Sequence, residues 1–154
     1  SNPYEFTGMS IVANQKLAGG KMGLDAYNNS DMTIVARIGT TAAAAAKKYL
    51  PKAQIRLFDY EGQALQEVLN KRAAAMVSSQ PFPEFQTIKY DDKLFLPLAG
   101  KTFTKEPIGF AIGKGDIDFL NFLNNWILVK NSDGWLQERY DYWFTSQDWK
   151  SLVE

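Results

Sequence analysis

Residues 33–50 constrain the fold of this chain more than any other stretch. Ile34, Val35 and Ile38 give a short apolar, β-branched run that suits a buried strand over residues 33–38. Gly39 then permits a sharp turn. Thr40 and Thr41 stand where a helix should begin, because the five alanines at 42–46 form about as strong a helix-forming run as side chains allow. A strand that turns tightly into a helix leaves several backbone N–H groups pointing out of the helix start. The helix dipole adds partial positive charge there and two hydroxyls stand beside it, so an anionic group can be held without a lysine. The plainer role for one of the threonines is to cap the helix.

The alternation continues. The helix at 41–50 is stopped by Pro51, residues 55–58 form a second strand, and residues 62–71 form a helix with Leu65, Val68 and Leu69 on one face. Glu67 and Lys71 are placed for an i,i+4 pair on its exposed side. Residues 73–77 are apolar throughout, as in a strand covered on both faces. Strand, helix, strand, helix, strand at these spacings predicts right-handed crossovers and a parallel sheet in an α/β fold. In an open parallel sheet the carboxyl ends of the strands lie on one edge, where ligands collect. The turns Gly39-Thr40-Thr41 and Ser78-Ser79-Gln80-Pro81 both leave that edge. The candidate ligand-binding residues are therefore Thr40, Thr41, Ser78, Ser79 and Gln80, with Arg37 as a cation near the crevice.

On the flanks, residues 9–14 read as a strand through Ile11 and Val12, and 17–23 as a glycine-rich connection. Pro81-Phe82-Pro83 predicts an extended path, and residues 85–92 are amphipathic without a clear type. Residues 93–98 and 107–112 read as strands. Gly113-Lys114-Gly115 resembles the end of a phosphate loop, but Gly109 is one position too close and no Ser or Thr follows the lysine, so a nucleotide site is rejected. Asp116 should cap a long amphipathic helix carrying Phe119, Leu120, Leu123, Trp126 and Ile127, broken at residues 131–134. Trp135, Leu136, Tyr140, Trp143 and Phe144 then line another helix, a spacing that predicts core contact.

At 154 residues the chain has the length of one domain with a proper core. Its formal net charge is zero, so nothing argues for nucleic acid or an anionic membrane as partner. No run approaches the roughly 20 apolar residues of a membrane span. Cysteine and histidine are both absent, which removes cysteine nucleophiles, histidine bases, and thiolate or imidazole metal sites together. No metal or other cofactor is expected. No signal peptide is visible and the first residue is not methionine, so the expectation is a processed chain or a fragment.

The order of features resembles the C-terminal part of the bacterial extracellular solute-binding proteins of family 3, which feed polar amino acids to ABC importers and have the type II periplasmic-binding-protein fold. Ser1-Asn2-Pro3-Tyr4 looks like the element before the first hinge strand, and Gly39-Thr40-Thr41 with its small-residue helix like the carboxylate turn of the second lobe. The stretch from Lys105 through Gly109 to Ile112, followed by Lys114-Gly115-Asp116, looks like the returning hinge strand and helix, and residues 132–144 like the terminal helix.

The resemblance implies a parallel-sheet sandwich lobe with hinge strands and part of the other lobe. Residues 1–14 would be the end of the first lobe and the first hinge strand, 15–106 the second lobe, and 107–154 the returning hinge strand and C-terminal helices packing on the first lobe. It implies a Venus-flytrap clamp in the periplasm or outside the cell, released from a signal peptide, closing on a small carboxylate or amino acid without covalent chemistry and docking on an ABC permease. Thr40 and Thr41 would meet the ligand's carboxylate. The family's arginine for that carboxylate normally lies upstream of Ser1. The resemblance also puts an aspartate for the amino group at the position of Ser78. Either the amine is met by Ser78, Ser79 and another acidic group, or the ligand is not an ordinary α-amino acid. Sensory domains of receptors, and cyclohexadienyl dehydratases that use a buried carboxyl as proton donor, share the fold and stand as alternatives. With most of the first lobe outside the chain, Trp135, Tyr140 and Trp143 should lack a partner surface, which predicts assembly with another copy, by exchange of elements, or a chain that is part of the working protein.

Overall fold

A computed structural model describes residues 1–146 and 148–153. In chain order its elements are β1 (Glu5–Thr7), β2 (Met9–Asn14), α1 (Gln15–Ala18), a 3-10 turn (Leu24–Tyr27), β3 (Thr33–Arg37), α2 (Thr41–Tyr49), β4 (Gln54–Phe58), α3 (Glu61–Leu69), β5 (Ala75–Ser79), α4 (Phe82–Lys89), β6 (Leu94–Phe95), β7 (Glu106–Ile108), α5 (Ile117–Ser132) and α6 (Trp135–Tyr140). A π-helical turn (Asp141–Thr145) and a 3-10 turn (Asp148–Leu152) follow. The chain divides into two units, Thr7–Lys105 and Ser1–Phe6 with the chain from Glu106 onward.

The unit Thr7–Lys105 is built on a five-stranded sheet in the order β4-β3-β5-β2-β6. β3 runs parallel to β4 (Thr33 opposite Gln54) and to β5 (Ile34 opposite Ala75), as the alternating pattern predicts. Each strand buries alternate residues on opposite faces because successive side chains point to opposite sides of the pleat. Ile11, Ile34, Ala36 and Val77 face Ala42, Ala43, Ala45 and Ala46 of α2. Val12, Val35 and Met76 face Ala64, Leu65 and Val68 of α3. Both faces are thus dry, as parallel sheets require.

Several local expectations are corrected. β2 enters the sheet antiparallel to β5, with Met9 opposite Ser79 and Ala13 opposite Ala75, so the sheet is mixed at this side. β5 spans Ala75–Ser79 rather than 73–77. Pro81-Phe82-Pro83 does not hold an extended path but opens α4, with Pro83 in its first turn, where a missing N–H breaks no helical hydrogen bond. The strands read at 93–98 and 107–112 shrink to Leu94–Phe95 and Glu106–Ile108. Glu67 is not on an exposed face beside Lys71. It is 8% exposed, with Arg56 at 3.0 Å and Arg72 at 2.6 Å, while Lys71 lies beyond the helix with φ of 60°. The Arg72 hydrogen bond, aided by Arg56, holds the Glu67 carboxyl below its ordinary range.

Asn14, buried at the end of β2, ties the sheet to two helices. Its Nδ2 donates to the Val68 carbonyl at 2.7 Å, and its Oδ1 accepts from the backbone N–H groups of Lys16 and Leu17 at the start of α1.

The other unit is assembled differently. β1 pairs with β7, and the Tyr4 N–H donates to the Ile108 carbonyl at 2.9 Å. Asp116 caps α5 by accepting from the Phe119 N–H at 3.0 Å. Aromatic contacts link its parts: Tyr4 stacks on Phe110 at 4.7 Å, Phe110 meets Trp126, and Trp126 meets Trp135 edge-on at 5.7 Å. Among the described residues of this unit only Ile127 is buried. The expected core contact of the helical aromatics is therefore not made: Phe119, Phe122, Trp135 and Trp143 are exposed, as are Ile117, Leu128 and Val129.

Candidate functional site

The site begins with the end of β3. Gly39 adopts φ of +72°, a left-handed turn that glycine enters without steric cost. The turn brings the Thr40 side chain under the start of α2. Its hydroxyl donates to the Arg37 carbonyl at 2.7 Å and accepts from the Ala43 N–H at 3.3 Å. Thr40 is thus the helix cap. Thr41 is the first helical residue and is exposed, with no hydrogen bond to its hydroxyl among the described residues.

At the neighbouring strand end, β5 finishes in Ser78 and Ser79. Ser78 is 3% exposed, and its hydroxyl donates to Oε1 of Glu61, the first residue of α3. The Ser79 hydroxyl donates to the Gln80 carbonyl and lies 3.3 Å from the Thr7 hydroxyl.

These ends enclose a cavity of about 220 Å³. Arg37, Thr40, Thr41, Glu61, Ser78 and Ser79 supply its polar wall, and Met9, Ala42 and Val77 its apolar floor. Five of the six residues picked from the sequence therefore come together. The sixth, Gln80, does not line it: its side chain is buried, its Nε2 donates to the Gly100 carbonyl at 3.2 Å, and its Oε1 has no hydrogen-bond partner among the described residues. The Arg37 side chain is exposed and has no ion-pair partner among the described residues. Sequence reading missed Glu61. The available signal was topological, since β4 is parallel to β3 and its following turn must reach the same edge.

Chemically, one wall offers a guanidinium, a hydroxyl and the positive end of α2, which suit a carboxylate. The other offers a carboxylate oriented by a serine. A larger cavity of about 480 Å³, lined by Lys16, Lys71, Lys93, Asp92 and others, lies at the opposite end of the sheet, where Asn14 ends β2. Its charged residues are all exposed. Burial pushes the Glu84 carboxyl upward, but Glu84 stands on α4 and does not line the 220 Å³ cavity. Among the described residues no group of three or more His, Cys, Asp or Glu is placed to hold a metal ion, and no helix is long and apolar enough to cross a membrane.

No family model matches the chain, and no curated protein matches it. Solved structures do. An ancestral cationic amino acid solute-binding protein is 36% identical, with a TM-score of 0.79 over 94% of this chain and 61% of its own. A binding component assigned to an ABC transporter of Wolinella succinogenes, complexed with lysine, is 32% identical, with a TM-score of 0.84 over 97% of this chain and 64% of its own. An ancestral cyclohexadienyl dehydratase is 27% identical, with a TM-score of 0.58 over 94% of this chain and 59% of its own. The chain thus spans about three fifths of the length of these relatives.

Proposed function

Because the chain belongs to the amino-acid solute-binding proteins of the type II periplasmic-binding-protein fold, we propose that it forms one jaw of a clamp that closes on a small carboxylate, an amino acid or a relative of one, for uptake through an ABC permease. The observation that carries this reading is the convergence of Arg37, Thr41 and the start of α2 with Ser78 and Ser79 around one small cavity at the carboxyl ends of β3 and β5. Binding without chemical conversion is the reading. The relatives named for solute binding support it. In this proposal Thr7–Lys105 is the second lobe, the remaining described residues belong with the hinge and first lobe, and the working location is the periplasm or the cell exterior.

A thermal-shift screen of amino acids and other small carboxylates against the intact protein tests the proposal. One or a few amino acids should raise the melting temperature in a saturable way, and a flat response across both series would refute it. The likeness to an ancestral dehydratase favours a second reading, an enzyme on the same scaffold. Steady turnover of prephenate or arogenate would establish that reading, and stoichiometric binding without turnover would remove it.

The same proposal gives the exposed apolar side chains of α5 a covering surface. Phe119, Phe122, Leu128 and Val129 are exposed, and the sequence offers two ways to cover such a face, a second copy that exchanges elements or the rest of a longer working protein.

A further inference from the structure

The hollow of about 480 Å³ lies at the end of the sheet away from the 220 Å³ cavity, and the clamp reading makes no use of it. Three lysines from three separate segments line it: Lys16 of α1, Lys71 just beyond α3, and Lys93 in the turn before β6. Asp92 is the carboxylate on that wall, so positive charge is in excess. None of the four forms an ion pair with any described residue. Gathering like charges around one hollow costs free energy. A helix terminus favours a lysine beside it, which accounts for Lys71 but not for Lys93, since a strand follows there.

Lys71 adds an observation of another kind. Its φ is 60°, the left-handed conformation that closes a helix and that glycine adopts at least cost. The backbone duty of the position, a hydrogen bond from its N–H to the Val68 carbonyl, would be met as well by glycine. Strain held at a cavity wall points to a use for the side chain. The hollow is also preformed. Asn14, 2% exposed, lines it, donates to the Val68 carbonyl of α3 and accepts from the Lys16 N–H. The Gln15 N–H donates to the Lys93 carbonyl at 2.8 Å. The three segments that carry the lysines are thus tied together around Asn14 before any ligand arrives.

A compact anion of two or more charges can meet several ammonium groups at once, whereas a monocarboxylate meets one. Lysine serves phosphate as a point charge, without need of a planar match. The volume falls in the roughly 300–1,000 Å³ range of small-molecule pockets, which leaves room for an organic body beside the phosphate. We propose that this hollow is a second binding site, separate from the clamp cavity, which takes a small phosphate-bearing anion through Lys16, Lys71 and Lys93.

Calorimetry with pyrophosphate on the intact protein, at about 0.15 M ionic strength, tests the proposal. Saturable one-to-one binding is expected, with amide NMR shifts at Asn14, Lys16, Asn70, Lys71 and Lys93. Lys71→Gly should do two opposite things. It should raise the melting temperature by a few degrees as the strain is released, and weaken pyrophosphate about 3- to 10-fold. Lys16→Gln and Lys93→Gln, both at exposed side chains, should each weaken it by a similar factor. A Lys71→Gly protein that gains stability with its pyrophosphate affinity unchanged would overturn the proposal. So would the absence of binding, or shifts confined to residues 37–41 and 78–79, which would move the anion to the clamp cavity. Vesicles identify the source of the phosphate. Sedimentation with equimolar phosphatidylcholine and phosphatidic acid, but not with phosphatidylcholine alone, and its loss in Lys71→Gly, would make a lipid headgroup the ligand. Pyrophosphate binding without sedimentation would make it a soluble phosphate ester.

Discussion

Thr40 and Thr41 are adjacent and identical, yet their hydroxyls have separate duties. Thr40 spends both capacities of its hydroxyl inside the turn, on the Arg37 carbonyl and the Ala43 N–H. Thr40→Ala should therefore lower unfolding free energy by about 1 kcal/mol, the usual cost of a lost cap, as read by chemical denaturation. Thr41 keeps its hydroxyl at the cavity. Thr41→Ala in the full-length protein should weaken ligand binding by about 1–3 kcal/mol in calorimetry, with little change in stability. An unchanged affinity would assign the whole Gly-Thr-Thr turn to capping. The pair could be singled out in the sequence because a glycine turn followed by five alanines leaves few other places for a helix to start. Which threonine caps could not, because that depends on which hydroxyl the turn swings beneath the helix. Glu61 stayed hidden for a related reason. An acid at a helix start has an ordinary electrostatic explanation, and only the register of β4 beside β3 brings it to the ligand edge. Gln80 followed Ser78 and Ser79 into the candidate set by adjacency, but it lies one residue past the end of β5, where its side chain turns toward the Gly100 carbonyl instead of the cavity.

At the scale of elements, the helices and parallel strands were legible because their periodicities differ, whereas strand direction was not. Ile11 and Val12 announce a strand in β2, but no local signal says that it runs antiparallel to β5. Proline misled for a comparable reason: Pro83 looks like a breaker, yet in a first turn it costs a helix nothing. α3 carries a second hidden contact, since Arg56 of β4 and Arg72 beyond the helix reach Glu67 from positions that no helical spacing predicts. Its pH consequence has a definite sign. The folded pKa of Glu67 lies below the unfolded value of about 4.3, so the contribution is present above that pH and fades as pH falls through the folded value. Glu67→Gln should melt below the wild type at pH 7, and the gap should close progressively below about pH 4. A gap that stays constant down to pH 2 would remove the ion pairs as its cause. Asn14→Ala should cost about 1–3 kcal/mol of stability in denaturant titrations, because the Val68 carbonyl loses its donor and α1 its cap.

The two units of the molecule differ in how much they bury. Thr7–Lys105 encloses apolar clusters on both faces of its sheet. The other unit encloses Ile127 alone among its described residues and leaves Phe122 at 61% and Leu128 at 65% exposed. Isolated in dilute solution, the chain should bind a hydrophobic dye and scatter light with a mass above that of one copy. A clean monomer that ignores the dye would contradict this. The helical spacing of these aromatics was plain in the sequence, but spacing cannot say which surface receives them. A further consequence follows from where the polypeptide enters and leaves the larger unit. It does so once at each end, between Phe6 and Thr7 and between Lys105 and Glu106, and every residue of the 220 Å³ cavity falls within that single uninterrupted run. The residues lining this cavity can therefore be carried into another host as one contiguous cassette, one jaw's share of the recognition surface travelling intact while the opposing surface is exchanged.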